Sequence, residues 1–141
     1  MKKLFLLLFL ISTNSYGVDG IYECSVKTVS NVKTNGELQT LNRSNKNIDP
    51  ILSSYIGTKF TIEKKTGVIK GNIISNQSSN STRTTVLNES DGMNSFQVLS
   101  IFGPNPSILY IRVNDYLKKS SNQEYPFDGY RWGEYITGVC R

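Results

Sequence analysis

Histidine and alanine are absent from this 141-residue chain, cysteine occurs twice and tryptophan once. The missing histidine excludes Ser-His-Asp and Cys-His nucleophilic centres and every His-bearing metal site, and two cysteines cannot supply a four-thiolate zinc site. The missing alanine, with only two methionines, removes strong helix formers. Beyond the first dozen residues no long apolar run occurs, so nothing there reaches the roughly 20 residues of a membrane-spanning helix. Lys and Arg number 16 against 11 Asp and Glu, a mildly basic balance without the dense cationic stripe of a nucleic-acid-binding domain. A chain of this length is expected to form one domain.

What is present begins with an export signal. Lys2 and Lys3 precede an apolar run over residues 4–11, and Ser15-Tyr16-Gly17 offers small residues for cleavage. Residues 1–17 therefore read as a cleaved signal peptide and 18–141 as a single β domain, periplasmic or secreted. Eight apolar residues span less than half of the roughly 30 Å hydrocarbon core, so no membrane anchor is expected. Cys24 follows Ile21-Tyr22-Glu23, unlike the small apolar residues that lipid attachment prefers. After residue 17 the chain keeps 14 basic and 11 acidic side chains, a net +3. In an oxidising compartment Cys24 and Cys140 are expected to form a structural disulfide. Closing so long a loop contributes about 4 to 5 kcal/mol in the chain-entropy model and makes the first and last segments neighbours. Four Asn-x-Ser/Thr triplets, at Asn42, Asn76, Asn80 and Asn88, would accept glycans in a eukaryotic secretory pathway. Beside a Lys-Lys start and an Asn/Lys/Ile-rich composition of bacterial type, they read as polar loops.

Ser, Thr and Asn make up 38 of the 124 residues from 18 onward, and Val, Ile, Tyr and Phe carry the apolar content, which favours strands joined by turns. Tyr22, Cys24, Val26 and Thr28 alternate with Glu23, Ser25 and Lys27 in a half-buried first strand, and Thr34-Asn35-Gly36 turns it into a second over 37–41. Asp49, Pro50 and Gly57 punctuate one short helix with Ile51, Leu52, Tyr55 and Ile56 on one face, suited to plug an end of the fold or to gate a cavity. Residues 59–64, with Phe60 and Ile62 inward, turn at Lys65-Thr66-Gly67 and return over 68–74; residues 75–82 read as a mobile polar loop. Further strands are expected over 84–88, 94–102 and 107–113, the last nearly all apolar and so expected in the centre, covered on both faces. A long connection over 114–128 then leads to a final strand over 130–140. The fold class is all-β, a small antiparallel barrel or sandwich of seven to eight strands with one short helix, its first and last strands tied by the disulfide. That tie favours the barrel.

The densest group of recognition-type residues is Tyr125-Pro126-Phe127-Asp128-Gly129-Tyr130-Arg131-Trp132-Gly133-Glu134-Tyr135, with Tyr116 just upstream. Tyr, Trp and Arg dominate binding hot spots because each buries a large area with few rotors and keeps a polar handle. Tyr125, Phe127, Tyr130, Arg131 and Trp132 are the candidate partner-binding residues, provided that they are exposed together; the competing reading puts Tyr130 and Trp132 in the core and a turn at Asp128-Gly129. Lys64, Lys65, Lys70 and Arg83 occur without an acid between Glu63 and Glu89, a candidate anion-binding patch or a solvated hairpin edge kept soluble by lysine. Glu23, Glu63, Asp115, Asp128 and Glu134 are available as acids, yet no spacing selects a pair for glycoside hydrolysis. No catalytic residue, metal site or cofactor is assigned.

Two stretches, Phe60-Thr61-Ile62-Glu63-Lys64-Lys65-Thr66-Gly67-Val68-Ile69-Lys70-Gly71 and Trp132-Gly133-Glu134-Tyr135-Ile136-Thr137-Gly138-Val139-Cys140, resemble parts of small uncharacterised secreted proteins of Gram-negative bacteria. They cover about a sixth of the chain and imply a hairpin and a disulfide, with no activity. In size, export and disulfide-closed barrel form the chain also resembles periplasmic lysozyme inhibitors, without a counterpart of their inhibitory loop motif, so none of their residues is carried over. The expected function is non-enzymatic binding of an envelope protein, as an inhibitor or immunity-type factor. The alternatives are a small-ligand or lipid carrier, favoured by an interior of small residues, and an enzyme on envelope polysaccharide.

Overall fold

The computed structural model describes residues 20–45, 49–78, 80–117 and 124–141; the expected signal peptide lies outside them. Alternating burial of Tyr22, Cys24 and Val26 defines β1 (Ile21–Val32), and Gly36, at φ 84°, closes the turn into β2 (Leu38–Asn42). Asp49 caps the one-turn helix α1 (Pro50–Ser53), its Oδ1 accepting from the N–H groups of Ile51 at 2.9 Å and Leu52 at 3.1 Å. Leu52 and Tyr55 pack inward as expected, whereas Ile51 points into solvent because one turn has no room for four residues on one face. Phe60 and Ile62 face inward from β3 (Lys59–Glu63), which turns into β4 (Ile69–Gly71).

β4 ends sooner than expected. A Cβ on Gly71 would lie 2.8 Å from both the Ile74 carbonyl and Phe60 Cβ, so the chain bends there instead of continuing to residue 74. The expected loop over 75–82 is instead partly built structure. Asn76 is buried, and Ser81 already belongs to β5 (Ser81–Glu89). Of the Asn-x-Ser/Thr triplets, Asn42 and Asn88 lie on strands and Asn76 is interior, so only Asn80 sits in a turn.

β6 (Phe96–Phe102), β7 (Ser107–Val113), β8 (Tyr125–Arg131) and β9 (Glu134–Cys140) complete nine strands, all paired antiparallel. The count exceeds seven or eight because β8 occupies the expected connection and the expected last strand is a hairpin broken at Trp132-Gly133. Asp128-Gly129 is strand, not turn: a Cβ on Gly129 would lie 2.6 Å from Ile111 Cδ1 and from the Tyr110 carbonyl, so glycine is what permits the two strands to pack there.

The strand order is β4-β3-β1-β9-β8-β7-β6-β5, with β2 beside the second half of β1. Cys24 and Cys140 are register partners on β1 and β9 and form the disulfide. The sheet curls until rings from distant strands meet inside it, Tyr22 with Phe96 at 5.3 Å and Phe60 with Phe127 at 5.4 Å. Tyr22, Phe60, Ile62, Phe96, Leu109, Ile111, Phe127 and Ile136 fill the interior.

The two outer strands, β4 and β5, share no ladder among the described residues, and Asn76 spans the gap. Its Oδ1 accepts from Ile69 N–H at 2.7 Å, while its Nδ2 donates to the Gly67 carbonyl at 2.8 Å and to Ser100 Oγ at 2.9 Å. One amide thus links the β3–β4 hairpin to β6.

Candidate functional site

Strand parity divides the five partner-binding candidates. Phe127 and Arg131 point into the barrel, with Arg131 only 7% exposed, and Tyr125 packs against the core. The condition that Tyr125, Phe127 and Arg131 be exposed together is therefore not met. Tyr130, on the opposite parity, faces outward, and Trp132 lies in the hairpin tip at 54% exposure instead of in the core.

The outward residues join a larger surface. In register across the outer face run Tyr135, Tyr130, Tyr110 and Leu99, and the neighbouring row holds Ile108 and Ile101. Tyr135 is 51% exposed and stacks edge-on with Tyr130 at 5.2 Å. Tyr110 donates to Gln97 Oε1 at 3.1 Å, and burial pushes its phenol above the ordinary range. Beside this stripe Arg112 and Asp128 form an ion pair at 2.9 Å, which raises the Arg112 guanidinium further. An outward sheet face is ordinarily polar. Here β6 and β7 carry apolar residues on both faces, and α1 lies elsewhere, against β1 and β2.

Trp132 is held at the end of the stripe in an unfavourable backbone state. Trp132 and Gly133 have φ of 50° and 95°, the two positive values of a type I′ hairpin, where Asn, Asp or Gly is preferred. A bulky residue in that region costs on the order of 1–3 kcal/mol. Local contacts fix it: Nε1 donates to Ser107 Oγ at 2.9 Å, the ring meets Phe102 edge-on at 6.4 Å, and the Arg131 guanidinium stacks 3.8 Å from its centroid. Arg131 in turn lies 5.8 Å from the Tyr55 ring, so the residue expected at the surface is the buried support of the one that is there. Burial and a hydrogen bond to Glu134 raise the Tyr55 phenol, against the opposing charge of Arg131.

The four anion-binding candidates do not line one cavity. Lys64 lies 4.1 Å over the Tyr22 ring, Lys65 is in the exposed β3–β4 turn, and Arg83 stands on β5 opposite Ile101. Lys70 alone borders a groove of the outer face. At that end of the barrel Tyr22 donates to the Asp115 carboxylate, which also accepts from Ser90 Oγ at 2.8 Å. Burial first, then the bond to Asp115 and its charge, push the Tyr22 phenol far above its ordinary value. No cluster of ligating side chains suited to a metal ion occurs among the described residues.

Sequence reasoning missed Tyr110 and Ile108, which the expected central position of 107–113 would have covered on both faces, and with them Leu99 and Ile101 on the neighbouring strand. The available signal was a count of layers: strands apolar on both faces need a second layer, and the sequence offers one short helix to supply it. Comparison of the chain with protein-family models, curated proteins and solved structures finds no match.

Proposed function

We propose that this is an exported, periplasmic or secreted protein that binds a partner protein, as an inhibitor or immunity-type factor, through the outer face of β6–β9. The observation that carries this reading is the stripe of Tyr135, Tyr130, Tyr110, Leu99, Ile108 and Ile101, uncovered by any described element and ended by a strained, half-exposed Trp132. Tyrosine and tryptophan bury large amphipathic areas at small entropic cost, which suits a surface alternating between water and a partner. A strained residue kept at an exposed tip is explained by recognition better than by folding. The Arg112–Asp128 pair supplies a polar flank.

The filled interior favours this reading over a carrier, whose ligand would need the space that Phe60, Phe96 and Phe127 occupy. The test is affinity capture from the protein's own cell-envelope extract with unsubstituted bait and with Tyr130→Ser/Tyr135→Ser bait. One stoichiometric protein retained by the first and lost by the second supports the reading. A partner retained equally by both removes the stripe from the interface, and a co-eluting lipid or glycan without protein replaces the reading with the carrier alternative.

A further inference from the structure

A groove of about 460 Å³ crosses the outer face beside the disulfide, lined by Lys27, Lys59, Lys70, Glu23, Glu124 and Arg141 among others. Its cations come from three neighbouring strands and the end of a fourth. Thr61 pairs with both Lys70 and Glu23, Ser25 pairs with both Lys59 and Val139, and Arg141 exchanges backbone hydrogen bonds with Glu23. Lys27 occupies the β1 bulge between Val26 and Thr28, where two residues oppose one on β9. Bulges of this kind redirect a side chain and concentrate beside sites.

The charges are unevenly matched. Arg141 pairs with Glu124 at 3.1 Å, whereas Lys27, Lys59 and Lys70 form no ion pair among the described residues. Lys70 stands in the row of Glu23, Lys59 in the row of Ser25 and Lys27 beyond it, so three ammonium groups face one remaining carboxylate, Glu23, and the excess of positive charge is relieved when an anion enters. From Lys70 to Lys27 the backbone positions span roughly two strand spacings across the sheet and about four residues along it, wider than one phosphate, and lysine reaches inward to bind phosphate as a movable point charge. The volume lies within the ordinary range for small-molecule sites, roughly 300–1,000 Å³.

We propose that this groove is a binding site for a diphosphate-type anion, held by Lys27, Lys59 and Lys70, with the Arg141–Glu124 pair closing one end. The site is separate from the tyrosine stripe and stands or falls independently of the protein-binding reading. Two sources share the chemistry, a free diphosphate and a lipid headgroup carrying two phosphates.

Amine acylation of the intact protein, read by mass spectrometry, separates them. With pyrophosphate as probe, Lys27, Lys59 and Lys70 are expected to react at least fivefold more slowly, while Lys33 and Lys65, outside the groove, change less than twofold. Cardiolipin vesicles, compared with phosphatidylcholine vesicles, form the second arm. Selective protection by pyrophosphate supports a soluble ligand, and selective protection by cardiolipin alone supports the headgroup. No selective protection by either, or equal protection of Lys33 and Lys65, overturns the proposal. K27Q/K59Q/K70Q is expected to weaken pyrophosphate binding at least tenfold, and unchanged binding also overturns it. Should that variant fail to fold, the footprint of the unsubstituted protein decides alone.

Discussion

The curled sheet has two seams, and they are held by different means. At the β1–β9 seam an antiparallel ladder with one bulge, a disulfide and the close approach at Gly138 act together. Where β4 faces β5 there is no ladder among the described residues, and the Asn76 side chain supplies hydrogen bonds that strands would otherwise make. Closing a sheet thus requires only that buried polar groups near the seam find partners, and a primary amide, with two donors and an acceptor, answers several at once. The first seam constrains the unfolded chain as well as the folded one; the second acts in the folded state alone.

This contrast can be broken from either side. Replacing both cysteines, Cys24→Ser/Cys140→Ser, should lower unfolding free energy by about 4 to 5 kcal/mol by the loop-entropy relation, measured by urea titration against the oxidised protein. Gly138→Ala tests the same seam without touching the bridge. Its Cβ would meet the Ser25 carbonyl at 2.1 Å and Phe127 Cε1 at 2.5 Å, so a loss of about 3 kcal/mol is expected, with the disulfide still formed. A loss below about 1 kcal/mol would mean that the strands part without penalty.

At the other seam Asn76→Ala should cost about 2 kcal/mol by leaving Ile69 N–H and the Gly67 carbonyl unpaired. Asn76→Asp keeps the shape but removes both donors, so it should destabilise at least as much. If Asp is tolerated, the amide is not the link. Hydrogen exchange should then show the β3–β4 hairpin opening more readily than β1 and β9 in either Asn76 variant.

A smaller effect separates the barrel's ends by pH. Tyr22, with an ordinary pKa of 10.0, is raised by burial and by Asp115. A raised folded value means that its stabilisation is complete below pH 10 and is lost as pH climbs from there toward the folded value. Tyr22→Phe should flatten this part of the alkaline stability loss, read as the difference between the two proteins' urea midpoints at pH 9 and pH 11. Smallest of all, Tyr130→Ser/Tyr135→Ser should change stability by less than about 1 kcal/mol.

The covalent seam was legible because two cysteines leave only one intramolecular pairing. The other seam was not. Asn76 stands in a polar low-complexity stretch where composition argues for a loop, and nothing local distinguishes an amide that bridges strands from one that faces water. Alternation placed Phe60 and Ile62 on the correct face, since side-chain parity is a local property. It failed at residues 125–131, where Pro126 and Asp128-Gly129 imitate turn chemistry. There the decisive fact is tertiary, the packing of Ile111 and Tyr110 against Gly129. The same misreading moved the expected contact surface onto Phe127 and Arg131 and concealed the stripe one residue out of phase.

The position of the lone tryptophan makes the molecule its own optical reporter. Its indole sits half in water at the end of the stripe, tied to Ser107 and lying on a guanidinium. Emission excited at the indole band therefore originates from a single place, with no overlapping signal from another tryptophan. A partner that displaces water there should shift this emission to shorter wavelength, while an anion entering the lysine groove, which Trp132 does not line, should leave it unchanged. Two binding events on one small protein can thus be followed separately without attaching a label.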